Sequence, residues 1–155
     1  MYVNARTLGK IAAKSGSVPT VASQTQMEAA TDTGTFVSPS VAKYHPGAAK
    51  AWVIFTTTGG TGTTSAGVTV AASHNVASVG RTAAGNFITR WTVPFSTANY
   101  VVLGMGQRST AAQQIEVELL GTGSAMTATG AKLFTHVAGV AANPFITMVV
   151  AFGDQ

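Results

Sequence analysis

The chain contains no cysteine, which excludes disulfides and thiolate chemistry and leaves no marker of redox compartment. Charge is nearly as scarce. Asp, Glu, Lys and Arg make up 9% of the 155 residues, against roughly 25% in an average soluble domain. Exposed helix faces are normally built from those residues, so the deficit excludes a helical bundle. Disorder is excluded as well: 46% of the residues are hydrophobic, whereas disordered chains combine low hydrophobicity with high net charge. No apolar run reaches the roughly 20 residues that span a bilayer, and the opening stretch from Met1 to Gly16 lacks the apolar core of a secretory signal. The expectation is a protein made in the cytosol, with no membrane insertion.

Small and β-branched residues fill the space that charge leaves. Threonine alone occurs 23 times and glycine 17 times, a composition that points to a mainly β protein. The length fits one domain with an arm attached. Character changes near residue 50. Residues 1–49 are polar, without sustained periodicity, and read as an extended N-terminal arm carrying one or two short helices. Ser23 and Gln26 have capping-box spacing, opening a helix over Gln24 to Ala30. Ser38-Pro39 is an N-cap followed by proline at the first helical position, opening a second helix through Tyr44. Helices this short are marginal alone, so the arm needs a partner surface.

Residues 50–155 read as roughly seven or eight short strands punctuated by turns, the pattern of an antiparallel, jelly-roll-like β-sandwich. Candidate strands are 51–55, 68–72, 86–93, 99–105, 114–119, 132–137 and 145–152. Alternation places Phe87, Thr89, Trp91 and Val93 on one face. It turns Ile115, Val117 and Leu119 inward and Glu116 and Glu118 outward. Trp52 and Trp91 lie in apolar runs and are expected to be buried.

The inventory for chemistry is thin. After residue 50 the only carboxylate side chains are Glu116, Glu118 and Asp154, and the first two lie about 6.5 to 7 Å apart along a strand. That superficially fits a glycosidase pair, although the solvent face of an amphipathic strand explains it more simply. His45, His74 and His136 show no metal-ligand spacing, which leaves one route to a metal site, a histidine on the three-fold axis of a trimer. The Gly-rich segment Thr58 to Thr64 lacks the lysine of a phosphate loop. Trp52, Trp91 and Tyr100 are the aromatics that stacking on a sugar would use. The net charge of +4 is dispersed, and the trio Arg6, Lys10 and Lys14 is the only near-cluster, so nucleic acid is not an expected partner. No catalytic residue, cofactor or metal is expected, and no receptor-binding residue is singled out.

Four segments carry a resemblance. Ala22 to Pro39 resembles a linker common in the fibres of tailed bacteriophages, and His45 to Val53 resembles the junction where such linkers enter a terminal β domain. Ser73 to Val79, Asn86-Phe87, Pro94-Phe95 and Ala98 to Val102 are similar to that domain's central strands, and Val149 to Gly153 to its last strand. The chain thus resembles tail-fibre and fibre-like virion proteins. The resemblance implies a non-enzymatic homotrimer located in the virion. Its N-terminal arm would join other virion proteins of the tail baseplate or capsid, and its C-terminal knob would bind a host-surface glycan. A purely structural virion component (a capsid decoration, head fibre or tail adaptor) is the alternative. Trp52 to Phe55, together with the Ala-rich junction before it, is the expected site of three-fold packing.

Overall fold

The structure is a computed structural model that describes residues 20–30, 34–57, 67–107, 115–121 and 125–155. The chain divides between Ala48 and Ala49 into two compact units. In the first, a parallel bridge joins Val21 to Phe36, and helix α1 spans Gln24–Ala29. Both halves of its capping box form: Ser23 Oγ accepts from the Gln26 amide, and Gln26 Oε1 accepts from the Ser23 amide. Ala30 ends the helix one residue earlier than expected by adopting a left-handed conformation. Helix α2 is only Pro39–Ala42. The Ser38 hydroxyl pairs with that of Ser40 instead of capping, and the chain then leaves the helix in i→i+3 turns through Tyr44 and His45.

The second unit is an antiparallel β-sandwich. Its strands are β1 Ala51–Thr57, β2 Val68–His74, β3 Val76–Ala83, β4 Asn86–Trp91, β5 Val101–Gln107, β6 Glu116–Leu119, β7 Met126–Thr127, β8 Gly130–Val137, β9 Val140–Ala141 and β10 Ile146–Phe152. One sheet has the order β2-β1-β10-β5; the other has β3-β4-β8-β6, with β7 and β9 also paired to β8. The strands β3, β7 and β9 were not legible as separate elements. β3 continues β2 after one residue, Asn75, whose left-handed backbone carries the chain from one sheet to the other. Asn75 secures the passage with its side chain, donating to Lys50 O and Val93 O and accepting from the Val93 amide.

Between the sheets, Val53, Phe55, Val79, Phe87, Leu133 and Val149 form one buried cluster. Ala51, Trp91, Phe95, Tyr100, Ala131 and Ala151 form a second. Threonine enters this core as well. Thr89 and Thr135 are fully buried because their hydroxyls donate to backbone carbonyls, Thr89 to Ala131 O and Thr135 to Ala142 O and Gly85 O; Thr57 does the same to Pro144 O. A methyl for the core and a hydroxyl for a nearby carbonyl explain why threonine suits these positions.

Two expectations about facing fail at strand ends. Val93 does not share the buried face of Phe87, Thr89 and Trp91, because β4 stops at Trp91 and Val93 is exposed. Leu119 is also exposed, at the last position of β6.

Candidate functional site

The two sheets present opposite outer faces. On the six-stranded sheet the outward positions of β4, β6 and β8 include Arg90, Glu116, Glu118, Lys132 and His136. Those of the four-stranded sheet include none of the described Asp, Glu, Lys or Arg residues. Register puts Trp52, Val150 and Leu103 in one cross-strand row and Ile54, Met148 and Met105 in the next. Val101 and Phe152 flank these rows on one side, with Thr56, Ile146 and Gln107 on the other. The six residues of the two central rows line a groove of about 380 Å³ that is almost wholly apolar. Met105 is 66% exposed, Leu103 57%, Met148 39% and Trp52 37%. Four strands about 4.8 Å apart and four rows about 7 Å apart make the whole outer face on the order of 500 Å², with the apolar rows at its centre bordered by Thr56 and Gln107 at one end and by His74 opposite Trp52.

Trp52 is therefore an outer-face residue, not a core residue as expected. Odd-numbered positions of β1 are buried and its even-numbered positions face out, so the expected contact segment splits. Val53 and Phe55 are consumed by the chain's own core, whereas Trp52 and Ile54 remain available. Trp91 and Tyr100 cannot serve as sugar platforms. Their rings are buried with Phe95, which stacks on Tyr100 at 4.1 Å between centroids. The Trp91 Nε1–H donates to the Tyr100 hydroxyl at 3.1 Å, and that hydroxyl lies 2.8 Å from Gly130 O and 3.0 Å from Thr127 O. Burial pushes the Tyr100 pKa above the ordinary 10.0, with the Trp91 hydrogen bond acting in the opposite direction.

No protein-family model, curated protein or solved structure matches the chain. Its chemistry has to be read from its own residues.

Pairing of Glu116 with His136 across β6 and β8 brings together groups that the sequence keeps 18 or more positions apart. Glu116, Glu118 and His136 offer ligand atoms within 4.8 Å of one another. His136 Nε2 is 3.1 Å from Glu118 Oε1 and 3.5 Å from Glu116 Oε2. The Gly139 amide donates to Nδ1 at 3.1 Å. That bond leaves the lone pair on Nδ1 and the proton on Nε2, which donates to the carboxylates. A histidine that ligates a metal through one nitrogen normally donates the N–H of the other; here the other nitrogen faces a donor. The donor set does not fit a metal. Both carboxylates are exposed and turned to one imidazole, which is the solvent-face arrangement, not two catalytic groups flanking a substrate. His45 accepts from the Gly47 amide in a turn, and His74 is exposed at the end of β2. The Gly-rich segment 58–64 and the basic trio Arg6, Lys10 and Lys14 lie outside the described residues.

Proposed function

We propose that this chain is a non-enzymatic, self-assembling structural subunit of a virion: a short, fibre-like homotrimer whose N-terminal arm joins it to other virion proteins and whose sandwich forms the outer knob. One observation carries the assembly: the charge-free apolar face built from Trp52, Ile54, Leu103, Met105, Met148 and Val150. A second copy of the chain is its fitting occupant. A face on the order of 500 Å² approaches the ~800 Å² that each partner contributes to a standard interface, and closed homo-oligomers are the usual way such faces are covered. Placement in a virion rests on the fibre-like segments of the sequence. Burial of Trp91 and Tyr100, with Trp52 assigned to the assembly face, favours the purely structural version over one in which aromatic stacking captures a host glycan.

Native mass measurement of the full chain at micromolar concentration tests this reading, with three chains expected. The double substitution Leu103→Glu/Met105→Glu places charge on an exposed face, so the variant is expected to keep its near-UV dichroism and become monomeric. A monomeric wild type, or a variant that stays assembled, overturns the role of this face. An assembly of any other number overturns the trimer.

A further inference from the structure

The opposite sheet carries a feature that assembly does not explain. Beside the turn joining β7 to β8, a groove of about 200 Å³ is lined by Arg90, Lys132, Thr127, Thr129, Ile88 and Ala125, among others. Arg90 on β4 faces Gly130 of β8, and Ile88 faces Lys132, so the two cations lie on a diagonal across adjacent strands. Both ion pairs among the described residues are made by His136, and no described carboxylate lies within 4.0 Å of the Arg90 or Lys132 nitrogens. Glu118, on β6 across from Phe134, turns to His136 instead, so the groove gathers two of the chain's nine basic residues with no described acidic group paired to either.

The turn is fastened to an unusual degree. Its four successive carbonyls all face donors: the one Tyr100 hydroxyl proton lies between Thr127 O and Gly130 O, Gly130 O also accepts from the Thr127 hydroxyl, Ala128 O accepts from the Phe95 amide, and Thr129 O accepts from the Trp91 amide. The hydroxyls of Thr127 and Thr129 lie 3.2 Å apart. Gly130 is required here because a Cβ would stand 2.3 Å from Thr89 O. The backbone of the rim is thus fixed from behind by the aromatic cluster while its hydroxyls stay at the groove, an arrangement that lowers the ordering cost of binding.

We propose that this groove is a binding site for an oxyanion, a carboxylate or phosphate group on a small polar ligand. The Arg90 guanidinium would donate a bidentate pair to the anion, with Lys132 supplying the second charge. The Thr129 hydroxyl would donate to the anion, while the Thr127 hydroxyl, which donates to Gly130 O, would accept from a hydroxyl of the ligand, and Ile88 and Ala125 would underlie the ligand's apolar edge. The groove and the apolar face belong to different sheets, so binding and assembly are separable.

Titration of the full-length, ¹⁵N-labelled protein with inorganic phosphate, glucuronate and glucose in parallel tests the proposal. Saturable amide shifts at Thr127, Thr129 and Ala131 are expected with phosphate or glucuronate and not with glucose. Tighter binding of glucuronate assigns the site to a sugar acid; equal or tighter binding of phosphate assigns it to a phosphate group. Arg90→Gln and Lys132→Gln, substitutions at the outer face, should each weaken the response by about tenfold or more while leaving the rest of the spectrum and the native mass unchanged. Absence of saturation with both anions, an equal response to glucose, or unaltered affinity in Arg90→Gln would overturn it.

Discussion

Replacing Tyr100 by Phe removes one oxygen from the centre of the second core cluster and leaves its ring packing in place. The Trp91 Nε1–H, whose partner in the structure is that oxygen, would be left buried without an acceptor, at a cost of about 1–3 kcal/mol. Gly130 O would lose its 2.8 Å donor but retain the Thr127 hydroxyl at 3.2 Å, which adds about 1 kcal/mol. A total of about 2–4 kcal/mol corresponds to a drop in Tm of roughly 10–20 °C for a domain of about 100 residues. The comparison is made by thermal unfolding at one fixed protein concentration, because the proposed self-assembly would make Tm depend on concentration.

A pH series sharpens the test. Burial raises the Tyr100 pKa in the folded state, so the folded protein holds this proton more tightly than the unfolded chain. That contribution is complete below the unfolded value near 10.0 and is lost as pH rises through the folded value. Tyr100→Phe has no such group to titrate, so the stability gap between the two proteins should narrow above pH 10. A fall in Tm of less than about 3 °C, or a gap that stays constant into the alkaline range, would refute the bridging role of the hydroxyl.

Three further outcomes are expected. Thr147 is fully buried and its hydroxyl has no partner among the described residues; Thr147→Val should therefore raise stability by about 1–2 kcal/mol in urea unfolding, and a loss would show that the hydroxyl is satisfied. At Gly106 a Cβ would meet Ile115 Cγ2 at 2.5 Å and Ile115 Cβ at 3.0 Å, so Gly106→Ala should cost about 1–3 kcal/mol. In an Ile115→Ala background the Cγ2 clash is gone and only the 3.0 Å approach to Cβ remains, so the added cost should shrink, and equal costs in the two backgrounds would refute the contact. Zinc in excess should leave Tm unchanged relative to a chelator control, because His136 presents a protonated Nε2 to Glu116 and Glu118; a concentration-dependent rise would overturn that tautomer.

The sandwich was legible because local patterns marked most of it. Turn residues set the strand spacing, and Ser23 and Gln26 marked the first helix by a two-way cap that needs no tertiary support. What escaped was long-range. β3 was hidden because it follows β2 after a single residue, and the signal that separates them is the left-handed conformation of Asn75, which asparagine tolerates but does not announce. The meeting of Glu116, Glu118 and His136 depends on the pairing of β6 with β8, and no spacing along the chain encodes that. Trp52 was misplaced for a different reason. An apolar run with period two leaves open which of its two faces is the core, and hydrophobicity alone could not separate Trp52 and Ile54 from Val53 and Phe55.

β5 is where that ambiguity bears most on function. From Val101 to Gln107 the strand alternates large with small residues, and in a soluble monomer Leu103 and Met105 would point into the core. The structure has the reverse orientation. Gly104 and Gly106 face inward, where a Cβ on either would lie within 2.5 Å of a methyl group of Val117 or Ile115; those two side chains from the segment leading through β6 fill the space that the glycines vacate. A one-residue slip would exchange the faces of the whole strand, and the bare glycines oppose it, since only they admit β6 at this distance. The same choice leaves Leu103 and Met105 57% and 66% exposed, each forgoing about 1–2 kcal/mol of burial. A strand with its glycines inside and its large apolar residues outside is poorly suited to an isolated chain. It would become favourable if another copy covered the outer face, as proposed, and restored the burial that the fold withheld.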